Sequence, residues 1–178
     1  MKKNTKTASL IKSKRIFKGR LLELSTRKFR LKNGYLVELE TINHPGAALI
    51  IPFLTPSKVI FLSQFRPVIN RFIYEFPAGT LHNKESMISC ARREVIEETG
   101  YSAARFKRLG EIYPVPGYST ERIVIFRADR LSKVKASPEI DEIITSRILG
   151  KKKVLELFRR GKIIDAKTIC ALALCGWL

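Results

Sequence analysis

Three glutamates, Glu94, Glu97 and Glu98, follow directly on from Arg93 within one short stretch. Their spacing suits a helix. At about 100° per residue, Glu97 lies about −60° and Glu98 about +40° from Glu94. All three carboxylates then share one face, in an arc of about 100°. Glu94 and Glu98 form an i,i+4 like-charge pair, which weakens an isolated helix. A hard divalent cation resolves the conflict, because Mg²⁺ takes carboxylate and water oxygens and is often completed by substrate phosphates. Arg93 stands four residues before Glu97 and can orient it through an ion pair. The bland alternative is a solvated charged face, its acids paired to Arg92, Arg93 and Lys84.

The elements that would carry these residues can be read from the pattern. Residues 86–99 form a helix with Ile88, Ala91 and Val95 on one side and Gly100 as its C-cap. Cys90 sits among those apolar positions as a small packed hydrophobe. Ahead of it lie the alternating segment 28–31, the Asn33-Gly34 hairpin turn and the strand 35–39. Two apolar runs, 47–54 and 58–62, flank Thr55-Pro56-Ser57 and read as core strands joined by a tight turn. Residues 72–76, 106–113, 123–128 and 143–148 are further strands, and 151–161 and 165–177 are closing helices. Leu155, Phe158, Ile163, Ile169 and Leu172 are expected as core packing. His44, before Pro45-Gly46, reads as a turn residue. Many strands with few helices argue for an α+β fold or α-β-α layering and against a doubly wound parallel fold.

Composition narrows the classes. The chain has 178 residues, 45% of them hydrophobic, which supports one domain with a sizeable core and excludes a disordered or fibrous chain. No apolar run reaches the length of a membrane helix. The basic N-terminus lacks the apolar stretch of a secretory signal. Three cysteines, with no C-x-x-C spacing, indicate neither a disulfide framework nor a zinc site and point to a reducing, cytoplasmic location. The net charge is +18, yet residues 75–142 hold 11 basic and 11 acidic side chains. The excess lies in the flanks. Residues 1–16 are expected to be a basic, flexible arm, 17–45 an N-terminal β extension, and 46–178 the main domain.

Gly79, Glu85, then Arg93-Glu94-Val95-x-Glu97-Glu98-x-Gly100 stand at the spacing G-x5-E-x7-R-E-U-x-E-E-x-G-U. This pattern resembles the signature of the Nudix hydrolases, with Tyr101 in the last apolar slot as a mild departure. The likeness extends over residues 17–175 to the ADP-ribose pyrophosphatase branch. It is carried by His44-Pro45-Gly46-Ala47, Gln64-Phe65-Arg66-Pro67, Glu75-Phe76-Pro77-Ala78-Gly79, Pro116-Gly117-Tyr118-Ser119-Thr120-Glu121 and the tail 161–168. Pro116, fifteen residues beyond Tyr101, matches a proline that goes with ADP-ribose preference in that branch.

The resemblance implies an α/β/α sandwich with mixed sheets and an N-terminal β-strand extension that serves dimerisation. It implies hydrolysis of a nucleoside diphosphate linked to another group, with ADP-ribose split to AMP and ribose 5-phosphate as the leading case. Other substrates in view are another nucleoside diphosphate sugar, a dinucleoside polyphosphate and an RNA cap. Mg²⁺ or Mn²⁺ is implied, with more than one ion per site. Glu94 and Glu98 are the implied ligands, then Glu97, the Ala78 carbonyl and Glu85, with Gly79, Arg93 and Gly100 structural. The general base in that branch resembles a glutamate on a later loop, which puts Glu142 first and Glu139 second; Glu97 is the box residue nearest to that role. Arg66 is the candidate phosphate grip, and Glu75 and Glu121 are candidates for ribose hydroxyls or metal. A non-catalytic nucleic-acid binder on the same fold is the disfavoured alternative, because such a protein has no use for three repelling glutamates.

Overall fold

The computed structural model describes residues 7–137 and 142–178, in two compact units. The first comprises the chain up to Pro45 together with Val115–Glu121. Its antiparallel sheet has the order β1(Ala8–Lys18), β2(Glu23–Leu31), β3(Leu36–Asn43). Gly34 turns the β2–β3 hairpin at φ +85°, and Asn33 Oδ1 accepts from the Tyr35 amide at 3.1 Å. The 115–121 loop is tied to β3: Ile42 N–H donates to the Tyr118 carbonyl and Thr120 N–H to the Ile42 carbonyl. His44 sits in the turn after β3, its amide donating to Thr120 Oγ1.

The expected flexible arm through residue 16 is where structure and sequence reading differ. β1 begins at Ala8 and pairs with β2 along its whole length, with two register shifts. Leu10 stands opposite Phe29, and Phe17 opposite Leu24. All eleven of its residues are exposed. Lysines can keep their charged ends in water from such an edge strand, so charge density alone did not preclude pairing.

The second unit, Gly46–Pro114 and Arg122–Leu178, holds a seven-stranded mixed sheet. Its strands are β4(Ala47–Thr55), β5(Lys58–Arg66), β6(Arg71–Glu75), β7(Ala78–Thr80), β8(Tyr101–Ile112), β9(Ile123–Lys133) and β10(Ile144–Gly150). The main path runs β10-β5-β4-β9-β8, with β6 on β5 and β7 on β4. β4 and β9 run parallel; the other pairs are antiparallel. Helix α1(Met87–Thr99) covers one face, and α2(Lys151–Arg159) and α3(Ala166–Leu174) cover the other.

β4 shows why two helical layers are needed. Ala47, Leu49, Ile51 and Phe53 face α2 and α3, while Ala48 and Ile50 face Cys90, Ala91 and Val95 of α1. A strand with period-two side chains, apolar at both parities, must be buried on both sides. The expected helical stripe is shifted by one residue in α2. Val154 and Leu157 are buried and Leu155 only partly so, because Val154 and Leu157 are the i,i+3 pair that packs into the core shared with Ile163, Ala171 and Leu172. Ile163 and Leu172 are core residues as expected, with Phe158 and Ile169 packed against them.

Candidate active site

Helix α1 begins at Ser86, whose Oγ accepts from the Ser89 amide, and ends at Gly100, which takes φ +72°. Between these caps α1 buries Cys90, Ala91 and Val95 and, along with them, Glu94 and Glu98. Short β7 brings Ala78 and Gly79 against these two glutamates. The Ala78 amide donates to Glu98 Oε2 at 2.9 Å. Gly79 lies directly under Glu94: a Cβ there would fall 1.6 Å from Glu94 Oε1. Only glycine leaves room for that carboxylate.

Arg93 gathers the remaining acids. Its Nε and Nη2 donate to the two oxygens of Glu85, each at 3.0 Å. Its Nη1 donates to Glu94 at 2.6 Å and Glu97 at 3.0 Å, and Nη2 also reaches the Thr80 carbonyl. The box loop is closed by the His82 amide donating to Glu85, while the His82 side chain stays exposed. The Glu85 carboxylate lies below its ordinary range because Arg93 holds it. Cys90, fully buried under the Gly79 carbonyl, has its thiol pushed up to about 12 by burial, so it is inert packing.

Glu94 and Glu98 behave in the opposite way. Burial pushes Glu94 up to about 7, with Arg93 pulling against it and Glu97 and Glu142 adding to the rise. Burial also holds Glu98 well above the carboxylate range, helped by the charges of Glu94 and Glu142. Glu142, in the loop before β10, is close enough for its charge to add to both shifts. Glu139 lies outside the described residues.

This donor set fits a hard divalent cation. Two nearly buried carboxylates repel each other, and a cation is the charge that burial and repulsion leave wanting. Among the described residues no three acid, thiol or imidazole groups already surround one point.

Beside Glu98 lies a second polar cluster. Arg66, at the end of β5, donates from Nε and Nη2 to the two oxygens of Glu75 at 2.7 Å each. Glu75, at the end of β6, is 1% exposed. Lys167 of α3 donates to Glu75 Oε2 and, at 2.9 Å, to Asp165 Oδ1. Burial alone would raise Glu75, but Arg66 and Lys167 outweigh it and leave the carboxyl below its ordinary range. Arg66 also feels the charge of Glu98. Lys167 is the residue that sequence reasoning did not single out for the site; its signals were its place in the 161–168 tail that carries the resemblance and its position two residues after Asp165. Pro116 is exposed and Glu121 half-buried in the first unit, where the Glu121 amide donates to Ser119 Oγ.

The family profile "NUDIX domain" matches residues 43–170. The chain is 32% identical to the ADP-ribose pyrophosphatase of Bacillus subtilis (strain 168) over 164 residues, 91% of this chain and 89% of the relative. It is equally similar, over the same shares, to the methanol dehydrogenase activator of Bacillus methanolicus. The GDP-mannose pyrophosphatase of Salmonella typhimurium is 34% identical over 136 residues, 71% of each chain. Among solved structures, an ADP compounds hydrolase superposes with a TM-score of 0.80 at 18% identity, covering 94% of this chain and 91% of that one, which is a likeness of fold.

Proposed function

This chain belongs to the Nudix family, and from that premise we propose that it is a divalent-metal-dependent pyrophosphohydrolase acting on a nucleoside diphosphate linked to a second group, ADP-ribose first among them. The observation that carries the reading is the burial of Glu94 and Glu98 one turn apart on α1, with the charge of Glu142 acting on both. Glu94, Glu98, Glu97, Glu85 and the Ala78 carbonyl would hold one or more Mg²⁺ or Mn²⁺ ions. When bound, such ions neutralise a diphosphate and make a water more acidic. Glu142 accepts the proton of the attacking water. Arg93 keeps Glu85, Glu94 and Glu97 in register. Arg66 presents a guanidinium to a phosphate; its Nη1 takes no part in the pair with Glu75. Glu75 serves the substrate-binding side of the proposal through Arg66, while Glu121 and Pro116, of the first unit, are separate candidates for substrate recognition.

GDP-mannose is the second substrate to test, on the strength of the Salmonella relative. A homodimer through the first unit is part of the proposal, supported by exposed Leu10, Ile11, Ile16 and Phe17 on β1. A cytoplasmic setting accords with three free cysteines. No described helix is long and apolar enough to cross a membrane.

One experiment tests the core reading. AMP release from ADP-ribose with Mg²⁺ is measured for wild type, Glu98→Gln and Glu142→Gln, with GDP-mannose run in parallel. Both variants should lose about 100-fold or more in kcat, and Glu142→Gln should still bind Mn²⁺. Equal rates for wild type and Glu98→Gln would sink the mechanism. A near-normal Glu142→Gln would move the base elsewhere.

A further inference from the structure

The Arg66–Glu75 pair is already complete without Lys167. A fork-on-fork contact uses both carboxylate oxygens and satisfies a buried negative charge. Yet Lys167 also donates to Glu75 Oε2 and is itself only 19% exposed. A second partly buried cation on a satisfied carboxylate calls for a reason beyond charge balance.

The connections of Lys167 supply one. Asp165 caps α3 through the Thr168 amide at 3.0 Å and holds Lys167 with its other oxygen at 2.9 Å. Thr168, wholly buried, accepts from the Phe76 amide at 3.0 Å. The first turn of α3 therefore grips residues 75 and 76 at two points, one side chain and one amide. Two residues further on, the same segment reaches Ala78 and Gly79, which touch Glu98 and Glu94. Glu75 is thus pinned from α3 on one side and carries Arg66 on the other.

We propose that Lys167 is a positioning residue that acts through Glu75 to aim Arg66 and to keep its charge available to the substrate diphosphate. The inference rests on the pyrophosphohydrolase reading above. Lys167 shares the negative charge of Glu75, so Arg66 is less neutralised by its partner and its outer edge keeps positive potential toward a phosphate. It also fixes the rotation of the Glu75 carboxylate, and with it the plane of the guanidinium.

Steady-state kinetics on ADP-ribose with Mg²⁺ test this. Lys167→Met should raise KM about tenfold while kcat changes less than about threefold, and Lys167→Arg should restore KM. The deciding arm is a double-mutant cycle with Glu75→Gln. If Lys167 works through Glu75, adding Lys167→Met to Glu75→Gln leaves KM nearly unchanged. A further tenfold rise in that background would mean direct contact with substrate and would overturn the proposal, as would an unchanged KM in Lys167→Met. If wild type hydrolyses no nucleoside diphosphate compound, the functional reading itself has failed. Calorimetric binding of magnesium pyrophosphate to the same four proteins then reads the coupling, and equal affinity in wild type and Lys167→Met overturns it.

Discussion

The buried glutamates set how this protein should respond to pH. Glu94, raised to about 7 from an ordinary 4.5, and Glu98, raised well above the ordinary range, both take up protons on folding. Their contribution to stability is complete below about pH 4.5 and is lost as pH climbs through the folded values. For Glu94 alone the span corresponds to about 3 kcal/mol. Glu75 and Glu85 are displaced downward, so their contribution is present above about pH 4.5 and fails only in acid. Metal-free protein should therefore lose stability between about pH 5 and pH 8 in chemical denaturation. Glu94→Gln should flatten the slope, and saturating Mg²⁺ should shrink it by favouring the ionised carboxylates. A metal-free stability that rises over that window would contradict the burial described for these side chains.

At the scale of elements, α2 offers a clean comparison. Val154 is fully buried against the sheet, while Leu155 is only partly buried beside it. Val154→Ala should cost about 2 kcal/mol, and Leu155→Ala, though it removes more atoms, should cost less than about 1 kcal/mol. Thermal or urea melts decide it, and the reverse order would mean the helix is rotated. The same helix marks the limit of reading sequence. Long apolar strands and the capped box helix were legible because strand period, the turn at 55–57 and Gly100 act locally. The α2 stripe was not, because several apolar residues fit a helical period and only packing against distant strands and α3 chooses among them. β1 was missed for a related reason: its lysines say nothing about whether a neighbouring strand offers hydrogen bonds. In the site, the box acids were readable from spacing, whereas Lys167 meets Glu75 only through folding of segments 92 residues apart.

The whole molecule carries +18, and its first unit displays apolar side chains on a strand with every residue exposed. Charge of that size keeps copies apart unless a specific apolar contact outweighs it. Leu10 and Phe17, 54% and 62% exposed, are where such a contact should form. Sedimentation equilibrium of the full chain should give twice the chain mass, and the double variant Leu10→Lys with Phe17→Lys should give the single mass with an unchanged melting temperature. A monomeric wild type would remove the dimer from the proposal.

β4 has one more consequence. Because alternate residues of this strand belong to different cores, opening either helical layer still leaves it clamped by the other. It is also bonded to β5, β7 and β9. The amide protons of its buried stretch, residues 48–51 and Phe53, have no partial route to solvent and should exchange with deuterium only when the second unit unfolds as a whole. Their protection then reports the global free energy of that unit. The amides of β1 mark the opposite end of the same scale.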